Sequence, residues 1–254
     1  TKVKRERRTG YDFIAPDFPS FENIDQSTKQ FQSYQSRKRL MGVFGEFRAS
    51  YKNIAYLTVT GRNDWTSTLP VDNRSYFYPS VSGSFVFTEL LPKNDTLSFG
   101  KIRASWARVG KDTDAYATTT ALWAPRGFLA GVGTGNSWTR GNPYLRPEIT
   151  ESTELGLEMR FLNGRLGFDF TYYTNNSKDQ IVSPRLSQTN GYIMYSTNVG
   201  NVYNKGMELS ITAVPIETKN WRWETTLNLA GNRGTVENLL QGMELLYVTD
   251  VQIG

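Results

Sequence analysis

Long runs in which apolar and polar residues strictly alternate constrain this chain more than any other feature. In "TESTELGLEMRF", Leu155, Leu157, Met159 and Phe161 fall on one side of an extended backbone, and Glu154, Gly156, Glu158 and Arg160 fall on the other. A helix would scatter those charges round its circumference. The next run, "RLGFDFTYY", sets Leu166, Phe168, Phe170 and Tyr172 against Arg165, Gly167, Asp169 and Thr171. Between the two lies Leu162-Asn163-Gly164, and Asn-Gly between alternating runs is a strong hairpin signal.

The arrangement recurs along the chain. "MGVFGEFRASY" turns at Lys52-Asn53 into "IAYLTVTGRNDW". Phe77, Val81, Phe85 and Phe87 share one face, and "LSFGKIRASWARV" sets Ile102, Ala104 and Trp106 against Lys101, Arg103 and Ser105. "KGMELSITAVPI" and "WRWETTLNLAGN" continue the series, giving about eight strands, most of about 9 to 13 residues, against a usual mode of about 5 or 6. Short turns at 52–53, 89–96, 162–164 and 215–220 alternate with longer links at 66–75, 110–149 and roughly 176–202.

Two all-β architectures accommodate this pattern. Tight turns at one end, long loops at the other, and spans of about 9–11 tilted residues with one apolar and one polar face fit an antiparallel transmembrane barrel. A soluble β-sandwich also alternates and also gathers its loops at its ends, although its strands are usually shorter. The chain has no apolar run of about 18 residues, which excludes a membrane helix but does not test for barrels. For the same reason the mean hydropathy of −0.49 is no sign of solubility. Trp65, Tyr76, Phe77, Tyr78, Trp106, Trp221 and Trp223 lie near strand termini, where a membrane-interface girdle belongs. Strict alternation gives Phe77, alone of its triplet, the face of Val81 and Phe85.

The chain contains no Cys and no His, which removes disulfides, thiolate and imidazole metal sites, and every triad that uses imidazole as base. Catalysis would rest on carboxylates, Lys or Tyr. The net charge of +5 is modest, and the opening "KVKRERR" supplies much of it. It reads as a solvated or phosphate-facing strand end, with no nucleic-acid partner expected.

At "TGRNDWTSTLPVDNRSYFYPSVSGSFVFTE" the chain closely resembles the barrel region of SusC-like (SusC/RagA) TonB-dependent transporters. "KIRASWARVG", "NPYLRPEITESTELGLEMRFLNGRLGFDFTYY", "NVGNVYNKGMELSITAVPI" and "WRWETTLNLAGN" follow in the expected order and extend the match over roughly residues 41–236. The resemblance implies a barrel of about 22 strands in the bacterial outer membrane, a plug domain within it, and energy delivered by TonB. It also implies a SusD-like surface lipoprotein as lid, lipid and lipopolysaccharide around the wall, and an oligosaccharide or peptide as cargo, with no cofactor. Residues 1–254 are expected to form part of one such barrel domain, an internal piece whose plug, TonB-binding segment and remaining strands belong to a longer polypeptide.

The link 110–149 is the best place to look for ligand contacts. Trp123, Trp138 and Tyr144 could stack on sugar rings or cover peptide side chains, and Asp112, Asp114, Arg126 and Arg140 could hydrogen-bond. The same aromatics could instead staple the loop to itself or to a lid. Asp112 and Asp114 resemble part of a calcium loop but lack its remaining ligands, so no metal is expected. Glu148 with Glu151, or Glu154 with Glu158, would be the carboxylate pairs of a glycosidase. Residues 154 and 158 are about 13 Å apart along a strand, too far for either glycosidase geometry. Arg103, Arg160 and Arg165 offer them ionic partners instead. "GVGTG" lacks a following Lys-Ser or Lys-Thr and is a flexible tip rather than a phosphate loop.

Overall fold

The computed structural model describes residues 1–92, 94–122, 126–128 and 131–237. The chain divides into two units, Thr1–Leu40 and Met41–Gly254, the second described through Glu237.

The first unit is a hairpin of β1 (Lys2–Thr9) and β2 (Gln30–Arg37), in register from Lys2 opposite Arg37 to Thr9 opposite Gln30. Both its faces are polar, so it carries no period-two signal and was absent from the expected strands. Its long tip is held by side chains standing in for backbone. Asn23 Nδ2 donates to the carbonyls of Ala15 and Phe18 at 2.7 and 2.8 Å, while Asn23 Oδ1 accepts from the Ala15 N–H at 2.9 Å. Asp25 accepts from the N–H and hydroxyl of Ser27, which hold its carboxyl below the usual range.

The second unit is one antiparallel sheet of eight strands: β3 (Leu40–Tyr51), β4 (Ala55–Thr66), β5 (Ser75–Val86), β6 (Leu97–Lys111), β7 (Glu148–Phe161), β8 (Leu166–Lys178), β9 (Asn201–Glu217) and β10 (Arg222–Glu237). Each strand pairs with its neighbours in the chain, so the sheet is an up-and-down meander, as the spacing of turn signals implied. The strands run to 12–17 residues, longer than the periodic segments alone indicated, because several continue past the apolar stretch into the long-link end. At Lys52-Asn53 both residues have positive φ and Ile54 N–H donates to the Tyr51 carbonyl at 2.8 Å, a two-residue turn matched to strand twist. In the second tight turn Leu162, Asn163 and Gly164 all have positive φ, of 53°, 53° and 87°, and Gly164 N–H donates to the Phe161 carbonyl at 3.1 Å.

Register turns alternation into two chemically distinct surfaces. Ala55, Phe85, Ile102, Leu157, Phe170, Leu209 and Leu229 stand side by side across seven strands on the apolar face. One residue away, Lys101, Glu158, Asp169, Ser210 and Asn228 form the adjacent row on the polar face. No second sheet covers the apolar face among the described residues: Leu155 is 52% exposed, and Phe85, Ile102, Leu227 and Leu229 are exposed too. A sandwich would bury that face, so the architecture is a barrel wall with its apolar side toward surroundings that are not water.

On the polar face charges neutralise one another across strands. Glu158 meets Lys101 at 2.6 Å and Arg160 at 2.8 Å, and Arg103 meets Asp169 at 2.7 Å and Glu154 at 3.7 Å. Arg165, expected to serve Glu154 or Glu158, reaches Glu217 on β9 at 3.9 Å, because the tight turn beside it carries it past those strands. Glu148 and Glu151 fall on opposite faces, Glu148 beside Lys111 at 3.2 Å and Glu151 beside Lys178 at 2.9 Å. No carboxylate pair converges on a common point in either case.

Candidate functional site

The three long links, at 67–74, 112–147 and 179–200, leave the same end of the sheet and are tied together there. The ties begin where β4 ends. Thr66 and Thr68, both 2% exposed, donate their hydroxyls to one carboxylate oxygen of Asp112, at 2.6 and 3.1 Å. Beside them Leu69, Tyr76 and the fully buried Leu145 form a small apolar core, with Tyr78, Ala117 and Ile181 packed at its edge. Asn73 Nδ2 donates to the Leu145 carbonyl at 3.1 Å, joining the first link to the second.

The second and third links are joined more extensively. Arg146 pairs with Asp179 at 2.7 Å, and Asn198 Nδ2 donates to the carbonyls of Arg146 and Asp179 at 2.8 Å each. Glu148 accepts from the Ile181 N–H at 2.9 Å. Farther out, Thr139–Arg140 pairs in parallel with Met194–Tyr195, and the Trp138 carbonyl accepts from both Ile193 and Met194. Asn136 Nδ2 closes this connection at 2.6 Å from the Gly191 carbonyl.

These ties place the expected ligand residues unequally. Trp138, at 61% exposure, and Tyr144, at 80%, present their rings to solvent, the Trp138 carbonyl accepting from Ile193 and Met194 and the Tyr144 N–H donating to Asn142 Oδ1 at 2.9 Å. Arg140 is exposed and its guanidinium lies 5.7 Å from the centre of the Tyr195 ring, a cation–π contact that sequence reading missed because the partner is 55 residues away. Asp114 is exposed, whereas Asp112 is committed to Thr66 and Thr68 and faces inward. Among the described residues no group of acidic side chains is arranged to hold a metal ion. Trp123 and the side chain of Arg126 lie outside the described residues; the Arg126 backbone belongs to a short strand pairing Arg126–Phe128 with Gly131–Gly133.

The expected interface aromatics also separate. Trp65 and Phe77 lie on the apolar face at the long-link end, and Trp221 and Trp223 lie at the tight-turn end, all exposed. Trp106 is on the apolar face opposite Val81 and Thr153, farther along the strands from the links. Tyr76 does not fit an anchor. It is on the polar face, 8% exposed, against the place where Gly110 leaves room for its ring: a Cβ there would come within 2.4 Å. Tyr78 shares that face, stacks on Tyr76 at 5.9 Å and donates its hydroxyl to Asp64, which Arg62 holds at 2.8 Å. Both tyrosines therefore brace the loop cluster from inside, the consequence of strict alternation around Phe77.

The chain matches the family described as TonB dependent receptor-like, β-barrel, over residues 3–247. It is 29% identical over 244 residues to the TonB-dependent receptor P26 of Formosa agariphila, covering 94% of this chain and 25% of that protein. To the TonB-dependent receptor SusC of Bacteroides thetaiotaomicron it is 28% identical over 240 residues, covering 90% and 24%. The fold overlays a chain of the RagAB peptide transporter with a TM-score of 0.80 at 19% identity, across 95% of this chain and 30% of that one. The chain thus spans about a quarter of the length of the curated relatives it matches. With the family match spanning nearly all of its residues, the chain belongs to the TonB dependent receptor-like β-barrel family.

Proposed function

We propose that this chain forms part of the wall and mouth of a SusC-like importer in the bacterial outer membrane, which moves nutrient oligomers, glycan or peptide, on energy delivered through TonB. The observation that carries this reading is the two-faced sheet. Seven aligned strands present apolar side chains with no protein layer over them, while the opposite face balances its charges in pairs, as the wall of a water-filled lumen does. Strands β3 and β10 end the sheet with unpaired edges among the described residues, and further strands of the same barrel domain are the natural partners of both. A plug would face the polar surface.

Loops tied by buried side chains into one body suit the mouth of such a barrel. Exposed Trp138 and Tyr144 then offer flat apolar surface to cargo, or to a SusD-like lipoprotein closing over it. Likeness in fold to the RagAB peptide transporter supports peptide as one cargo class. No catalysis is assigned: the carboxylates that could have formed a glycosidase pair are held in ion pairs on separate rows or opposite faces. The test is to delete the full-length gene in its host and follow uptake of labelled oligosaccharides and oligopeptides, together with the fraction in which the protein is found. A heat-modifiable outer-membrane band and loss of uptake for one oligomer class are expected. Recovery in a soluble fraction without detergent would overturn the proposal.

A further inference from the structure

The polar face of the sheet changes character along its width. On β5 it carries serine at three successive positions, and the register gives each serine a neighbour on either side. Thr60 and Ala107 flank Ser80, Thr58 and Ser105 flank Ser82, and Tyr56 and Arg103 flank Ser84. Serine is short, so a hollow of about 320 Å³ opens over Ser82 and Ser84, between Tyr56 and Thr58 on one side and Arg103 and Ser105 on the other. On β7 and β8 the same face carries Glu154, Glu158, Arg160 and Asp169 instead.

Ion pairs keep this hollow clear. Lys101 and Arg103 stand on β6, next to the serines, and their long side chains could lie across β5. Lys101 reaches Glu158 on β7 at 2.6 Å and Arg103 reaches Asp169 on β8 at 2.7 Å, both away from β5. The hydroxyls they leave uncovered are largely unused. Thr60 and Ser80 bond each other at 2.6 Å, but Thr58, Ser82, Ser84 and Ser105 make no side-chain hydrogen bond among the described residues.

At about 3.4 Å per residue, the three serines set hydroxyls about 7 Å apart along the strand. Each hydroxyl donates and accepts and bears no net charge, so none holds a solute tightly. Repeated weak sites let a solute both enter and leave, which is what passage through a pore requires. The column also meets the candidate site. Beyond Ser80 the next polar-face residues of β5 are Tyr78 and Tyr76, and Tyr76 packs on Leu145 of the tied links.

We propose that the Ser80–Ser82–Ser84 column, with Thr58, Thr60 and Ser105, is the lane along which the transported oligomer descends the lumen, its uncharged backbone groups passing hydrogen bonds from one hydroxyl to the next. The inference rests on the transporter reading given above. The test uses the full-length transporter in its host, with labelled neutral oligosaccharides and oligopeptides as probes. Three quantities are read for each variant: protein in the outer membrane, probe captured at the surface without energy, and energy-dependent uptake. Ser82→Trp and Ser84→Trp should keep abundance and capture and lose most of their uptake. Ser82→Thr, which keeps the hydroxyl, should retain it, and so should Ser210→Trp on β9, in the row of Lys101 but four strands from β5. Unchanged uptake by both variants on β5, or equal loss in Ser210→Trp, would overturn the proposal. Energy-independent entry of a large hydrophilic antibiotic into cells carrying Ser82→Trp would overturn it too, and reassign the column to a plug that the ring displaces. Should the tryptophan variants fail to assemble, Ser82→Cys in a transporter otherwise free of cysteine decides. A bulky thiol reagent attached after assembly should stop uptake, and probe in transit should slow the attachment; attachment with uptake unchanged would refute the lane. Failure of the wild type to take up any probe would instead refute the transporter reading.

Discussion

Arg103 on β6 reaches over the whole of β7 to hold Asp169 on β8, its two terminal guanidinium nitrogens lying 3.1 and 2.7 Å from the two carboxylate oxygens. The side chain can lie flat because the residue beneath it is Gly156, where a Cβ would come within 2.3 Å of Arg103 Nε. One nitrogen also donates to the Thr171 hydroxyl at 2.5 Å, and Glu154 on β7 lies 3.7 Å from Nε, so a single arginine links β6, β7 and β8. Gly156→Val should lift it off and cost about 1–2 kcal/mol, the lower range for hydrogen bonds to charged groups because the side chain remains 29% exposed. A lowered midpoint of heat modification, reproduced by Asp169→Asn and not additive with it, is the expected result.

The two faces should differ sharply in their tolerance of charge. Leu155 lies on the apolar face between Ala104 and Tyr172, whereas Ser82 lies on the polar face opposite Ser105. Arginine at a lipid-facing midplane position costs about 2–4 kcal/mol, while a lumen wall solvates it. Leu155→Arg, and similarly Phe77→Asp at the long-link end, should reduce the assembled protein in the outer membrane. Ser82→Arg should leave its abundance unchanged. Equal abundance of all three variants would contradict the orientation of the sheet.

The eight strands were legible in the sequence because each has one face in a different medium from the other, and a period of two is what that condition writes into a chain. The β1–β2 hairpin was not legible, since both of its faces are polar and alternation between two polar residues carries no signal. At the candidate site, exposed Trp138 and Tyr144 could be picked out by residue type. The ties that support them could not. Thr66 to Asp112 spans 46 residues and Asn73 to Leu145 spans 72, and these contacts exist only once the meander has brought the links to one end.

Asp112 is the natural place to loosen the mouth without touching the wall. Its carboxylate is the shared acceptor of two hydroxyls that are 2% exposed, and Asp112→Ala leaves Thr66 and Thr68 to satisfy only each other, at 2.9 Å. A buried polar group deprived of its partner costs about 1–3 kcal/mol. Limited proteolysis of intact cells should cut the 112–147 link faster in the variant, while barrel heat modification remains as in the wild type. Coincident loss of both would mean that the links and the wall unfold as one unit.

Buried and exposed aromatic residues at the long-link end should behave differently. Tyr76 fills the space above Gly110 and touches Leu69 and Leu145, so Tyr76→Ala should open a cavity at a cost of about 3–5 kcal/mol, as for other large aromatic truncations, and disorder the links. Trp138 and Tyr144 are exposed, and their backbones are held independently of their rings by bonds to Ile193, Met194 and Asn142. Trp138→Ala and Tyr144→Ala should therefore leave proteolytic resistance of the links intact and, on the proposed function, weaken capture of the oligomeric cargo. Stacking contributes about 0.5–1.5 kcal/mol per ring, a loss of roughly two- to ten-fold in affinity. Unchanged uptake in both variants, with the links still protected, would move cargo recognition away from this surface.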